Sequence, residues 1–260
     1  AQAADVYDQW NRGDLRSFLV EITADILRAP DPADPGHLLV DAILDRAGQK
    51  GTGKWTVLAA AEFGVPVPTI AAAVDARNLS ASKELRVRAE AALQPARGGL
   101  AGVSVDDLRD ALYAAKIASY TQGFALLGKA SAERGYETPL GEVARIWTAG
   151  CIIRADFLDR IRAAFAAAPQ LELLALAPEF TADLGKRLPG WRRVVAAAAT
   201  GGHAIPGLSA SLAWFDTLST GRGSAALIQA QRDYFGSHTY ERSDAPGKFV
   251  HSEWPRSRPA

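Results

Sequence analysis

Apolar residues three and four apart recur along nearly the whole chain, and strict apolar–polar alternation is almost absent. The first spacing covers one face of a helix, whereas alternation would cover one face of a strand. A chain of 260 residues written this way is expected to be all-α, with roughly ten or more helices at ordinary helix length. Its apolar content of 48% is ample for a sizeable core.

Residues 1–12 and 14–28 read as helices, with Asp14 as a candidate N-cap. Pro30, Pro32 and Pro35 then break the chain. Residues 37–46 suit a helix or a strand, and lead into a glycine-rich loop. Residues 54–63 read as a helix ended by Gly64-Val65-Pro66, and 68–93 as a long helical stretch carrying Arg77. In 104–134, Ser104 and Asp107 stand at capping-box spacing. Residues 140–167 form a long apolar helix or a pair, and 170–185 hold short helices. Further helices are expected at 189–200, 207–219 and near 223–234. From Phe235 the chain turns rich in Gly, His, Pro, Arg and Trp and reads as irregular. The expected division is therefore a helical domain, 1–234, and a C-terminal tail, 235–260. Residues 59–68 and 198–206 echo each other as helix, glycine turn and apolar-Pro. The echo fits an internal helical duplication, and equally a chance similarity between alanine-rich helices.

Lys+Arg and Asp+Glu are equal at 29 each. This balance argues against bulk binding to nucleic acid or a membrane surface. Cys151 is the lone cysteine, which excludes an internal disulfide framework and fits a reducing, cytoplasmic compartment. No apolar run reaches the length of a membrane span, and the first residues are polar rather than signal-like. Methionine is absent altogether, so the chain is read as part of a longer protein.

The densest chemistry lies in residues 45–56. Three glycines, two lysines and two threonines occupy the nine positions 48–56. Glycine lets the backbone approach a ligand closely. Lysine ammonium and threonine hydroxyl groups are natural partners for phosphate oxygens. The loop therefore reads as an anion site, with a phosphorylated ligand expected. Gly48 to Lys54 fits the P-loop pattern up to its last position, where Trp55 replaces the Ser/Thr that would bind magnesium. A P-loop also needs a preceding strand in an α/β sheet, which the pattern does not offer. A purely structural glycine turn is the plainer alternative. Gly221 to Ala226 fits the loose dinucleotide fingerprint, but residues 207–219 before it look helical, so a turn between helices is the better reading.

A second unusual stretch, 229–240, sets Arg232, Asp233, Tyr234, His238 and Tyr240 at a helix end followed by Gly236. Arginine can grip a phosphate with two parallel hydrogen bonds, and histidine can donate to a sugar oxygen. The plainer reading is a C-cap glycine with aromatic packing. Arg77, within an Ala/Val-rich helix, reads by itself as a surface residue. His37, His203, His238 and His251 show no metal-ligand spacing with each other or with Cys151, so no metal is expected. Cys151 lies in an apolar run and is expected to be a buried structural thiol. Glu142 and Arg145 read as a surface pair. No Ser/His/Asp or paired-carboxylate constellation emerges from the spacing.

Taken together, several stretches resemble the C-terminal domain of the decarboxylating 6-phosphogluconate dehydrogenases. They are Ser17-Phe-Leu-Val-Glu-Ile-Thr23, Ala47-Gly-Gln-Lys-Gly-Thr-Gly-Lys-Trp-Thr56 and Ala76-Arg-Asn-Leu-Ser80, then Ala111-Leu-Tyr-Ala-Ala-Lys-Ile117, Gly150-Cys-Ile-Ile-Arg154 and Gln229-Ala-Gln-Arg-Asp-Tyr-Phe-Gly236. They run in family order from near residue 10 to about 254. The resemblance implies an all-α domain with a helical duplication, forming a homodimer in which one subunit's C-terminal tail reaches the partner's active site. It implies oxidation of 6-phosphogluconate at C3 with NADP, loss of CO2 from the β-keto acid, and protonation of the enediol to ribulose 5-phosphate. By motif, Lys50 and Thr52 would hold the substrate phosphate and Arg77 would add to the same group. From the partner chain, Arg232 would close on the phosphate and His238 on the sugar.

The family's catalytic lysine and glutamate lie on a helix just before the point where this chain starts, and neither motif is found here. No catalytic residue is expected in this chain. The N-terminal dinucleotide-binding domain is expected to be missing too, and with it most of the NADP site. The His251-Ser-Glu-Trp254 ending and the Pro-Arg-rich residues after it depart from the family's usual shorter ending. A non-catalytic phosphosugar-binding or scaffold module keeping the same fold is the competing reading. A P-loop-like nucleotide binder and a related β-hydroxyacid dehydrogenase are less favoured, the first by Trp55 and the second by the long tail.

Overall fold

The computed structural model describes residues 2–48 and 50–255. Among the described residues the protein is all-α but for one hairpin. The chain runs α1 (Gln2–Asn11), α2 (Phe18–Ile26), α3 (Leu39–Ala42), α4 (Thr52–Glu62), α5 (Pro68–Ala81) and α6 (Lys83–Leu93). It continues with α7 (Val105–Arg134), α8 (Leu140–Trp147), α9 (Phe157–Ala167), a 3-10 turn (Leu174–Leu176), α10 (Pro178–Thr200), α11 (Pro206–Leu218) and α12 (Ala225–Gly236). The hairpin is β1 (Tyr240–Arg242) with β2 (Ala245–Val250), antiparallel, pairing Tyr240 with Val250 and Glu241 with Phe249 before the register shifts. Two compact units emerge, Ala1–Trp214 and Phe215–Ala260.

The first unit is organised by α7, which packs chiefly against α10. The capping box is real: Ser104 Oγ accepts from the Asp107 N–H at 3.1 Å, and Asp107 accepts from the Ser104 N–H at 3.0 Å. Tyr113, Ile117, Phe157, Leu158, Ile161, Phe180 and Trp191 are almost completely buried. Phe157 is the hub, with ring centres 5.7 Å from Tyr113, 5.2 Å from Tyr120 and 5.1 Å from Phe180. Arg187 crosses this core, stacking on the Tyr113 ring at 4.0 Å and pairing with Asp110 at 2.8 Å and with Asp14.

Several expectations need correction. Asp14 caps no helix, because Ser17 is the N-cap of α2 and Asp14 is engaged by Arg187. The stretch 68–93 breaks at Ser82 into α5 and α6. Residues 140–167 are a pair of helices, one of the two expected forms, but Cys151 in the connection is partly exposed rather than buried. The helix expected at 189–200 is the second half of α10, which continues through Pro189. A helix-interior proline costs a hydrogen bond. Here Leu184, Arg187, Gly190, Trp191 and Val194 are all buried, so packing overrides the proline. The tail is not wholly irregular, since it carries the β hairpin.

The two echoing segments make the same turn. Val65 N–H donates to Ala60 O at 2.9 Å across Gly64, and His203 N–H donates to Ala198 O at 2.8 Å across Gly202. In both, the next helix opens on a proline, Pro68 or Pro206. Among the described residues no helix is long and apolar enough to cross a membrane.

Candidate functional site

The glycine loop ends as the N-terminus of α4. Gly51 is its N-cap, with φ of 105° and no side-chain cap. That φ favours glycine, and a Cβ there would also meet the Trp55 ring at 3.6 Å. Thr52 is the first helical residue, so Lys50 and Thr52 flank an N-terminus whose first N–H groups lack intrahelical partners. Helix N-termini favour anions through these groups and the helix dipole. Gly53 serves a different need. A Cβ there would lie 2.8 Å from Val74 Cγ2, so its absence lets α4 and α5 approach.

That approach brings Arg77 into play. Val74 of α5 meets the loop at Gly53, and Ser80 Oγ accepts from Ala47 N–H at 3.0 Å. Arg77, three residues from each, therefore lies on the stretch of α5 that runs along the loop. Ser80 Oγ also donates to Arg77 O at 2.7 Å. The side chains of Lys50 and Arg77 are exposed and form no hydrogen bond or ion pair among the described residues. Gln49 lies outside the described residues.

Sequence reasoning missed the fixture at the loop's base. Asp45 accepts from Arg86 Nη2 at 2.6 Å and Lys83 Nζ at 3.3 Å, and its carbonyl accepts from Arg86 Nη1 at 3.1 Å. These bonds, Arg86 foremost, hold the Asp45 carboxyl below its ordinary pKa. No local pattern marks partners 38 and 41 residues apart.

No strand precedes the loop among the described residues. The residues before it hold the four-residue helix α3, so the P-loop reading lacks its sheet. Residues 221–226 likewise follow a helix, α11. Glu142 and Arg145 are the expected surface pair, 2.6 Å apart and both more than half exposed.

The second unit holds Arg232 and His238, both exposed. Gly236 is the last residue of α12, not its left-handed cap, a role taken by Ser237 at φ 49°. Its missing side chain serves His238, whose ring would be 2.7 Å from a Cβ at Gly236. Asp233, beside Arg232, is fully buried. It accepts from Thr239 N–H at 2.8 Å, His251 Nδ1 at 2.9 Å, Ser252 N–H at 3.1 Å and Trp254 Nε1 at 2.8 Å. Burial alone would raise its pKa, but these four donors pull it down to about 2. The His251–Trp254 ending is thereby folded back onto α12.

This geometry can be set beside known proteins. Residues 1–254 match the family model described as 6-phosphogluconate dehydrogenase, C-terminal domain. The chain belongs to this family. It is 52% identical over 265 residues to a spinach (Spinacia oleracea) protein named 6-phosphogluconate dehydrogenase, decarboxylating 2, chloroplastic, covering 98% of this chain and 49% of that one. A Synechocystis protein named 6-phosphogluconate dehydrogenase, decarboxylating, is 51% identical over 258 residues, covering 97% and 53%. A solved Plasmodium falciparum 6-phosphogluconate dehydrogenase, described in its apo form and in complex with NADP+ and with 6-phosphogluconate, superposes with a TM-score of 0.93. It is 48% identical and covers 97% of this chain and 55% of that one. The chain thus spans about half the length of the curated relatives it matches. Family membership accounts for the all-α architecture.

Proposed function

We propose that this chain is the substrate-phosphate-binding and dimer-forming part of an NADP-dependent, decarboxylating 6-phosphogluconate dehydrogenase. The whole enzyme would oxidise 6-phosphogluconate at C3, release CO2 from the β-keto acid and protonate the enediol to ribulose 5-phosphate. The observation that carries the reading is the pairing of Lys50 and Thr52 at an uncapped helix N-terminus with Arg77 on the adjoining stretch of α5. Two cations and free N–H groups suit a phosphate dianion. The naming of NADP+ and 6-phosphogluconate with the Plasmodium relative supports the same substrate and cofactor.

Lys50, Thr52 and Arg77 bind the phosphate; Arg232 and His238, from the partner's tail in a homodimer, close on the phosphate and the sugar. Phosphate is remote from C3, so its binding energy acts by orienting the reacting carbon. NADP supplies the hydride acceptor when bound. On this reading the NADP site and the catalytic lysine and glutamate are assigned to the half of the relatives that this chain does not span. The lone cysteine fits a reducing compartment such as the cytoplasm, while the spinach relative is named as chloroplastic.

Calorimetric titration of 6-phosphogluconate into the chain, beside Lys50→Ala and Arg232→Ala, tests the reading. Binding that weakens at least tenfold in each variant is expected, since a charge-assisted contact contributes about 1.5–3 kcal/mol. Unchanged affinity in Lys50→Ala would remove the loop from the site. A full-length gene product unable to oxidise 6-phosphogluconate would leave the scaffold reading in its place.

A further inference from the structure

The two tail residues assigned to substrate, Arg232 and His238, are joined by side chains that carry no assigned role. Gln229 Oε1 accepts from Arg232 Nη1 at 3.0 Å, and Gln229 Nε2 donates to Thr239 O at 2.5 Å. Asp233 Oδ1 accepts from Thr239 N–H at 2.8 Å. The residue after His238 is thus held at both its N–H and its carbonyl.

His238 stands between Ser237 at φ 49° and Thr239 at φ 58°. Two left-handed non-glycine residues in three positions are an uncommon backbone, which persists only when its surroundings over-determine it. The surroundings here are specific. Ser237 N–H donates to Asp233 O at 2.9 Å, and the His238 ring sits over the bare Gly236 with the Phe235 ring 5.8 Å away. A plain helix C-cap needs one left-handed residue, usually glycine. This segment instead uses Gly236 inside the helix and strains the two neighbours of the histidine.

We propose that Gln229 and Asp233 are positioning residues that bind Arg232 and His238 into one preorganised clamp for a phosphorylated sugar acid. The inference rests on the reading of Arg232 and His238 as substrate contacts. Gln229 is the mechanical link, because its two polar atoms reach the arginine side chain and the histidine's flanking carbonyl. Asp233 anchors the same turn from the helix side and ties it to the end of the tail. Neither touches substrate, and their effect on affinity runs through the geometry of the other two.

The test uses the full-length gene product that carries this chain, with kcat and KM for 6-phosphogluconate and the melting temperature measured for each variant. Gln229→Met keeps length and loses both hydrogen bonds. It is expected to raise KM about five- to tenfold, the scale of one or two lost hydrogen bonds, with kcat and melting temperature nearly unchanged. In a His238→Ala background the same substitution should raise KM by a clearly smaller factor, because half of what Gln229 positions is gone. Asp233→Asn, which keeps the shape and removes the charge, should raise KM as well. An unchanged KM in Gln229→Met, or an equal factor with and without His238, overturns the inference. Should Arg232→Ala and His238→Ala themselves leave KM unmoved, the substrate reading falls, and that failure is visible in variants that leave Gln229 intact.

Discussion

Lys116 shows how far a single residue can depart from what its neighbours in sequence suggest. It sits on α7 with its ammonium nitrogen buried and without a hydrogen-bond partner among the described residues, 5.2 Å from the centre of the Phe157 ring. It lines a cavity of about 1330 Å³ whose other walls include Leu112, Tyr120, Phe124 and Ile153. Burial depresses its pKa to about 8, with Asp14 and Asp156 acting weakly the other way. The folded state therefore releases a proton that the unfolded state keeps up to the ordinary lysine pKa of 10.5. Below pH 8 the charged form is penalised in full, and stability rises as pH climbs from 8 towards 10.5. The penalty at neutral pH is on the order of 3 kcal/mol. Lys116→Met is expected to raise the urea midpoint of this chain at pH 7 and to flatten the rise between pH 8 and 10. Parallel pH profiles for parent and variant would show that the amine is solvated. Lys116 was legible as part of a family motif, but its burial was not, because a helical repeat marks a face and says nothing of what lies opposite it.

At the scale of elements, the sequence disclosed what is encoded locally. The α7 capping box is written in two residues, and its helix runs as expected. The break at Ser82 and the passage through Pro189 were hidden; the second is decided by tertiary packing, since the residues around Pro189 are buried. The site divides in the same way. The proposed anion loop could be read from Lys50, Gly51 and Thr52, which are adjacent, and Gly51 and Thr52 do open α4. Arg77 read by itself as a surface residue, and only the resemblance promoted it. The structure supplies the physical link, the close approach of α4 and α5 at Gly53 and Val74. Gly53→Ala tests that link. Its Cβ would fall 2.8 Å from Val74 Cγ2, and overpacking of this kind costs about 1–3 kcal/mol. The substitution should push α5 off the loop and weaken 6-phosphogluconate binding, and Val74→Ala in the same chain should restore much of it. Binding that the second change does not restore would mean that Gly53 acts through its own backbone rather than through helix approach.

For the whole molecule, the question is whether Lys50 and Arg232 serve one site from two chains. The two residues lie in separate compact units, Ala1–Trp214 and Phe215–Ala260. The order of residues along the chain cannot distinguish a tail that folds onto its own loop from one that reaches a partner, since both place the same groups on a phosphate. Mixing variants can. In the proposed homodimer, Lys50→Ala chains carry an intact tail and Arg232→Ala chains carry an intact loop. Each pure variant has only defective sites. A heterodimer with exchanged tails has one site with both losses and one with none. Unfolding and refolding an equal mixture gives heterodimers in about half of the dimers, so about a quarter of all sites become intact for a two-fold interface. Titration of the refolded mixture with 6-phosphogluconate should then recover tight binding at about that fraction of sites. If every tail served its own loop, no combination would contain an intact site, and the mixture would bind no better than the two variants apart. Recovery of affinity on mixing thus reads the path of the tail directly, without dependence on turnover or on the part of the enzyme that supplies NADP.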